Sequence, residues 1–265
     1  MSRVLAVSGS LRRASFNSLL LRALPELAPE GMKVEIFSGL GDVPMYNEDI
    51  DTNPAHPAIA CLREAVHACD GIVIATPEYN HSIPGAVKNA IDWLSRPHGL
   101  GALSGKAIMV LTATLLTRAK GIRAIADATR ILSGLGNLVL TEPEIVVPNA
   151  AGVLRERSDG TVALCDEVAA GLIRIQLAAL HEVIQQGLAP ALLEVSRRER
   201  TEMTRLQFLP YLRDALDAGA DTEQLARRMV GSGFPAEMVT EWIRRARPGG
   251  AAAVAGMQPS TADVG

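Results

Sequence analysis

The stretch Val7-Ser8-Gly9-Ser10-Leu11-Arg12-Arg13-Ala14-Ser15-Phe16-Asn17 follows a short apolar run and leads into a helical pattern. A strand that passes through Ser-Gly-Ser into a helix directs several backbone N–H groups at one point, and the helix N-terminus adds partial positive charge. Ser10, Ser15 and Asn17 supply short polar side chains, and Arg12 supplies a cation. The stretch therefore predicts a phosphate-binding turn at the end of a buried strand.

An ordinary strand-to-helix loop explains the same residues equally well, with Ser15 or Asn17 as the N-cap. The stretch contains neither Gly-x-Gly-x-x-Gly nor Gly-Lys-Ser/Thr, which argues against a dinucleotide fingerprint and against a P-loop. Arg13, directly beside Arg12, is interpreted as a solvated side chain.

A second polar stretch, Thr76-Pro77-Glu78-Tyr79-Asn80-His81-Ser82-Ile83-Pro84-Gly85, follows another apolar run and also opens a helical pattern. Pro77 prevents the strand from continuing in a regular ladder. The loop after it offers backbone N–H groups to the polar edge of a planar ring, with Tyr79 beside that ring. The simpler alternatives are that Tyr79 is a packed loop aromatic and that His81 is a surface polar residue.

Short, continuously apolar strands alternate with helices along the first 195 residues. Strands are predicted over 3–8, 33–37, 71–75, 107–111, and in two pieces over 138–140 and 145–147, which Glu142-Pro143 separates; helices are predicted over 17–28, 57–69, 84–95, 119–134 and 165–187. This alternation predicts an α/β, flavodoxin-like doubly wound five-stranded parallel sheet with strand order 2-1-3-4-5. Both polar stretches then meet at the crevice between strands 1 and 3, and their pairing favours a flavin mononucleotide (FMN).

The composition narrows the class of protein. The chain has 265 residues, is 48% hydrophobic and carries a formal net charge of −3, which gives no reason to expect nucleic acid or an anionic membrane as a partner. Its three cysteines, Cys61, Cys69 and Cys165, form no Cys-x-x-Cys pair, so neither a disulfide framework nor a zinc site is expected. The N-terminus lacks the pattern of a signal peptide, and we expect a cytoplasmic protein without a membrane span.

With both stretches in place, the chain resembles the NAD(P)H-dependent FMN reductase family, flavodoxin-like enzymes that include quinone, azo-dye and chromate reductases. The matching motifs are Gly9-Ser10-Leu11-Arg12 with Ser15 and Asn17, then Pro77-Glu78-Tyr79-Asn80, then Pro84-Gly85 and Lys88-Asn89-Ala90-Ile91-Asp92-Trp93. The resemblance implies FMN as cofactor, NADPH or NADH as co-substrate, a small-molecule electron acceptor, and assembly into a homodimer or homotetramer. The acceptor it implies is a quinone, an azo compound, a metal oxyanion or free flavin.

The resemblance also implies roles for individual residues. The phosphate of FMN would be held by Ser10, Arg12, Ser15 and Asn17, and the isoalloxazine by Pro77, Glu78, Tyr79, Asn80 and Ser82. Thr112 and Thr114 follow the fourth strand, where the family makes a third flavin contact. No side chain is expected to act as a dedicated acid or base, because the flavin carries the chemistry. The helical pair Lys88–Asp92 needs no function, and Trp93 is expected in a core or a subunit contact.

The third loop departs from the family pattern. Leu115 and Leu116 stand where the family has small residues, so they either form an apolar wall or narrow the pocket. Three basic residues follow: Arg118, Lys120 and Arg123. They either bind the phosphates of NADPH or form the solvated start of a helix.

Residues 196–247 are predicted to form a small helical appendage outside the family pattern. Met203, Leu206, Leu209, Leu212 and Leu216 mark one amphipathic helix, and Asp221 and Pro235 stand near the starts of two more. Arg244, Arg245 and Arg247 are interpreted as a solvated helix face rather than a nucleic-acid site. Residues 248–265 are expected to be a disordered tail. These additions keep open an alternative function: a binding or regulatory module with weak or no turnover that docks a partner through its C-terminal helices.

Overall fold

The computed structural model describes residues 1–52, 55–97, 100–116, 121–231, 234 and 236–246, with the backbone alone for 199–208, 211 and 231. These residues divide into two compact units, within Met1–Glu194 and within Val195–Gly265. No helix in this described part of the chain is both long enough and apolar enough to cross a bilayer.

The first unit is built on a parallel sheet of five strands. They are β1 (Ser2–Ser8), β2 (Met32–Phe37), β3 (Gly71–Ala75), β4 (Ala107–Ala113) and β5 (Leu138–Val147), arranged in the order β2-β1-β3-β4-β5. This confirms the predicted flavodoxin-like topology. Strands β1 and β3 are neighbours, but the chain after β1 crosses to β2 on one side and the chain after β3 crosses to β4 on the other. Because these two connections diverge, a crevice opens at the carboxyl ends of β1 and β3.

Helices cover both faces of this sheet. They are α1 (Phe16–Leu27), α2 (Pro57–His67), α3 (Gly85–Leu94), α4 (Ile122–Gly134), the single turn α5 (Ala150–Val153) and α6 (Glu167–Gln185). Two separate apolar clusters result: one contains the buried side chains of α1 and α6, and the other those of α2, α3 and α4. Every residue of β3 and β4 is buried, which explains why these strands, apart from Thr112, are apolar rather than alternating.

The last strand differs from the prediction. Instead of two pieces separated by Glu142-Pro143, β5 is one ten-residue strand whose pairing with β4 shifts register between Met109 and Leu111. The carbonyl of Pro143 accepts a hydrogen bond of 2.6 Å from the side-chain amide of Gln176 on α6. A helix distant in sequence thus satisfies a backbone group at the irregularity.

A small antiparallel hairpin that the sequence did not reveal follows β5. Its strands are β6 (Leu154–Glu156) and β7 (Val162–Leu164). Arg22 of α1 donates hydrogen bonds to the Glu156 carboxylate and the Gly160 carbonyl, and Arg157 pairs with Glu26 of the same helix. These contacts hold the hairpin against α1.

The second unit has its own small core. Its helices are α7 (Leu188–Asp217), which begins in the first unit, α8 (Thr222–Gly231) and α9 (Ala236–Ala246). Leu212, Met229 and Trp242 are among its buried residues, and the Phe234 ring meets Trp242 edge-on at 5.6 Å. Helix α7 begins at Leu188, before the predicted start of the appendage at residue 196. The predicted tail 248–265, Pro235, Arg247 and the side chains of Met203 and Leu206 lie outside the described residues.

Candidate functional site

A cavity of about 600 Å³ opens at the carboxyl ends of β1, β3 and β4. Its described lining comprises Ser10, Arg12, Ser15, Phe16, Asn17, Pro77, Glu78, Tyr79, Asn80, His81, Thr112, Ala113, Thr114, Leu115, Leu116 and Gly121. Three loops therefore meet here: the turns after β1, β3 and β4. The structure brings together ten of the eleven residues predicted for the site, and Ser82 is the exception.

The turn after β1 lies very close to α3. A Cβ atom on Gly9 would stand 2.6 Å from Cγ2 of Val87 and 3.2 Å from Cα of Thr76, so only glycine fits this path. Beyond it, the buried Ser10 hydroxyl lies 3.4 Å from the Tyr79 hydroxyl across the cavity. The turn after β1 and the loop after β3 thus face each other through their hydroxyl groups.

The first turn of α1 keeps free hydrogen-bond donors. Ser15 is the N-cap, and its hydroxyl accepts the Ser18 N–H at 3.3 Å. The N–H groups of Phe16 and Asn17 have no hydrogen-bond partner among the described residues. The exposed Arg12 guanidinium lies 5.6 Å from the Phe16 ring centroid. Free N–H groups, a helix N-terminus and a guanidinium are the chemistry that binds a phosphate.

Asn17 has a second role that the sequence did not reveal. Its side-chain oxygen accepts the Ala113 N–H at 2.9 Å, and its side-chain nitrogen donates to the Ala113 carbonyl at 3.2 Å. The last hydrogen bond from β3 to this side of β4 reaches Leu111. The Asn17 amide therefore replaces the missing strand beside Ala113 and joins the start of α1 to the end of β4.

The loop after β3 is a tight two-residue hairpin. Tyr79 and Ser82 exchange backbone hydrogen bonds of 3.0 and 3.1 Å, and the two residues between them, Asn80 and His81, have φ angles of 49° and 68°. Two consecutive left-handed residues define a type I′ turn, which asparagine tolerates better than most side chains. The turn leaves the Tyr79 ring half-exposed at the cavity.

The Glu78 side chain holds the hairpin to the start of α4. Its carboxylate accepts the Gly121 N–H at 2.8 Å and an Arg123 guanidinium N–H at 3.4 Å. Burial alone would raise the pKa of Glu78, but the hydrogen bonds from Gly121 and Arg123 outweigh it and leave that pKa below its ordinary value. Glu78 thus contributes its backbone to the cavity, and its charge fixes the loops around it.

Ser82, like Glu78, bonds to α4, and it does not line the cavity. Its hydroxyl donates a 2.6 Å hydrogen bond to the Asp127 carboxylate on α4. The Ser82 side chain was expected to contact the isoalloxazine ring, and it bonds to a helix of the protein instead. Glu78 and Ser82, one on each side of the turn, both attach the hairpin to the same helix.

The carboxyl end of β4 provides one hydroxyl without a partner among the described residues. Thr112 is 1% exposed, and its Oγ1 makes no hydrogen bond within the described structure. A Cβ atom on Gly121, whose φ is 104°, would lie 2.5 Å from Cγ2 of Thr112. Thr114, by contrast, uses its hydroxyl to accept the Leu116 N–H at 3.2 Å.

Other residues singled out in the sequence have the following surroundings in the structure. Lys88 and Asp92 form an exposed helical ion pair, and Trp93 is fully buried, donating from its indole N–H to the Pro44 carbonyl at 2.8 Å. Arg123 is engaged with Glu78 and also donates to Nδ1 of His81 at 3.2 Å. Arg118 and Lys120 lie outside the described residues. No group of three or more possible metal ligands occurs in the described part of the chain.

Comparisons with known proteins agree with this architecture. The family described as NADPH-dependent FMN reductase matches residues 2–152. A quinone reductase of Escherichia coli K12 is 36% identical over 186 residues, covering 69% of this chain and 96% of the relative, and an NAD(P)H-dependent FMN reductase of Pseudomonas aeruginosa is 38% identical over 179 residues, covering 68% and 93%. The solved flavoenzyme NAD(P)H:(acceptor) oxidoreductase of Paracoccus denitrificans has a TM-score of 0.61 at 28% identity, over 71% of this chain and 99% of that one. The chain belongs to the NADPH-dependent FMN reductase family.

Proposed function

We propose that the protein is an FMN-dependent NAD(P)H oxidoreductase that reduces a small-molecule acceptor in the cavity after β1, β3 and β4. The observation that carries this function is the division of that cavity into two chemically distinct parts. Hydrogen-bond donors and a cation surround the start of α1, and Tyr79, Leu115 and Leu116 supply apolar surface. Family membership supports the same reaction and does not favour the alternative of a module without turnover.

The residues present fit FMN. A volume of about 600 Å³ lies in the ordinary range for small-molecule and cofactor sites. The free N–H groups of Phe16 and Asn17 suit a phosphate, and the unpartnered Thr112 hydroxyl suits a polar group on the ligand. An unsatisfied buried hydroxyl costs about 1–3 kcal/mol, so a ligand that supplies its partner gains part of that energy.

In the proposed phosphate site, Ser10 and Arg12 contact the phosphate directly together with the backbone at the start of α1. Ser15 contributes indirectly, since its hydroxyl is engaged as the N-cap. The Asn17 side chain keeps one amide N–H free after its bond to Ala113, so it can position β4 and donate to the phosphate at once.

In the proposed ring site, Pro77, Glu78, Tyr79 and Asn80 border the isoalloxazine, and Thr112 and Thr114 stand on the β4 side. Ser82 acts through Asp127 to hold the hairpin in place. Bound FMN would supply the redox chemistry, taking hydride from the nicotinamide and passing electrons to the acceptor. The protein's part is to fix backbone donors in place beforehand, which is what the anchors at Glu78 and Ser82 do.

The remaining expectations extend this proposal. The curated relatives are named as quinone reductases or as an FMN reductase, which supports a quinone or flavin acceptor and either NADPH or NADH as donor. We keep as predictions a homodimer or homotetramer, a cytoplasmic location, no nucleic-acid partner, and a reductase domain over 1–195 with a separate helical appendage over 196–247.

One spectrum tests the function. The purified protein, incubated with FMN and desalted, should retain a yellow colour with absorbance near that of flavin, and NADPH should bleach it under anaerobic conditions. Retained colour without bleaching by NADPH or NADH would contradict an oxidoreductase and support a flavin-binding module. Absence of colour after incubation with excess FMN would contradict the cofactor as well.

A further inference from the structure

Two leucines stand exposed at the rim of the cavity. Leu115 and Leu116 are 58% and 59% exposed, and both line the cavity. Single exposed leucines are common on protein surfaces, but adjacent apolar side chains at a ligand cavity indicate a contact surface. Leucines in this loop therefore need an explanation beyond packing.

The backbone of this loop is held in place. The Thr114 N–H donates to the Val147 carbonyl at 2.9 Å, and the Thr114 carbonyl accepts the Ala150 N–H at 2.9 Å. The Leu116 N–H donates to the Thr114 hydroxyl, and the Leu116 carbonyl accepts the Asn149 N–H at 3.4 Å. Because the loop is bonded on both sides, the two leucine side chains are presented at the rim by a fixed backbone.

The same lining carries the Arg12 guanidinium, which the proposed phosphate site uses, and one carboxylate. Glu78 is the only carboxylate among the described lining residues, its side chain is 9% exposed, and its charge is engaged by Gly121 and Arg123. Tyr79 adds a half-exposed aromatic surface. An acceptor that approaches Leu115 and Leu116 therefore loses water to apolar surface, which is favourable for an apolar molecule and costly for a multiply charged ion.

Resting on the function proposed above, we propose that Leu115 and Leu116 are specificity-determining residues that select acceptors with an apolar flank over metal oxyanions. An alkyl-substituted quinone or an aryl azo compound covers the leucines and removes their surface from water. A chromate ion gives up hydration there and receives no hydrogen bond from either side chain. Leu115 and Leu116 thus form a selective apolar wall.

The test compares two acceptors in matched variants. For Leu115→Ser and Leu116→Ser, the ratio of kcat/KM for 2-methyl-1,4-naphthoquinone to kcat/KM for chromate should fall about fivefold each, which corresponds to about 1 kcal/mol of lost apolar burial. The double variant should lose about twentyfold. Leu115→Met, which keeps the apolar surface, should retain the ratio. Leu100→Ser is the control, because Leu100 is 72% exposed and lies outside the described lining.

A second readout does not depend on turnover. The affinity of the FMN-loaded protein for 2-naphthol, a two-ring probe that accepts no electrons, should weaken in parallel with the ratio. The proposal would be overturned if the double variant kept both the wild-type ratio of kcat/KM values and wild-type 2-naphthol binding, whether or not its oligomeric state changed. Failure of the wild type to bind FMN or oxidise NADPH or NADH would instead refute the proposed function.

Discussion

Replacing Asn17 by alanine should reveal whether this residue acts mainly in folding or mainly in ligand binding. Its amide makes both hydrogen bonds to the backbone of Ala113, and Asn17 itself is 4% exposed. The sequence predicts Asn17 either as a phosphate ligand, whose loss weakens binding, or as the N-cap of the helix. The structure predicts a different outcome, because β4 ends beside α1 and Ala113 has no other partner on that side among the described residues.

The magnitude follows from the two backbone groups left unpaired. Each buried group without a partner costs about 1–3 kcal/mol, and Ala113 is 6% exposed. Because Ala113 borders the cavity, water can reach part of the site, so we expect a loss near the lower end, about 2–3 kcal/mol in total. For a unit of this size that loss lowers the melting temperature by roughly 4–12 °C.

The assay is thermal unfolding of the FMN-free full-length protein, followed by titration with FMN. Ser10→Ala is the matched control: its hydroxyl makes only long contacts of 3.4 Å, so its melting temperature should stay within about 2 °C of wild type while FMN binding weakens about fivefold or more. Asn17→Asp should also destabilise the protein, because a carboxylate faces the Ala113 carbonyl. If Asn17→Ala melted like wild type and lost only FMN affinity, the structural role argued above would be refuted.

Three further changes test other parts of the structure. Glu78→Gln should reduce the loss of stability that the protein shows on acidification. Because the pKa of Glu78 is lowered in the folded state, the stability it contributes is present above its unfolded pKa and is lost as the pH falls through its folded pKa. Unfolding curves of both proteins between pH 7 and 3 would show the difference. Gly121→Ala should weaken FMN binding and lower the melting temperature, because the new methyl group meets Thr112 at 2.5 Å and φ is 104°; normal values for both would contradict the close contact. Burial raises the pKa of the Cys69 thiol, so a thiol reagent at pH 8 should modify two of the three cysteines rapidly, and three equally fast reactions would contradict its burial.

The sheet was predictable because its strands are buried on both faces. Runs such as Gly71–Ala75 are apolar without alternation, which is typical of a parallel sheet between helices, and the polar turns mark where they end. The hairpin of β6 and β7 was missed because its strands have three residues each and are held by Arg22 and Arg157. Contacts between side chains more than a hundred residues apart leave no local pattern.

The site was predictable in location more than in the role of each side chain. Chain order and topology place three polar loops at one edge, and the cavity forms there. What the sequence does not specify is which polar groups are already engaged by the protein. Ser15 caps its helix, Ser82 bonds to Asp127, and the Glu78 carboxylate holds the start of α4. Each is polar and near the cavity, and in each case a contact within the protein occupies the side chain.

The third loop shows how a departure from a family pattern can alter a site without closing it. Leucines after β4 left two possibilities, an apolar wall or a narrowed pocket. Both side chains are more than half exposed, and a volume of about 600 Å³ remains beside them, which favours the wall. The first glycine after β4 is Gly121, where a Cβ would lie 2.5 Å from Cγ2 of Thr112, whose hydroxyl has no partner among the described residues. Leu115 and Leu116 thus present apolar surface beside an open cavity, as the proposed selection among acceptors requires.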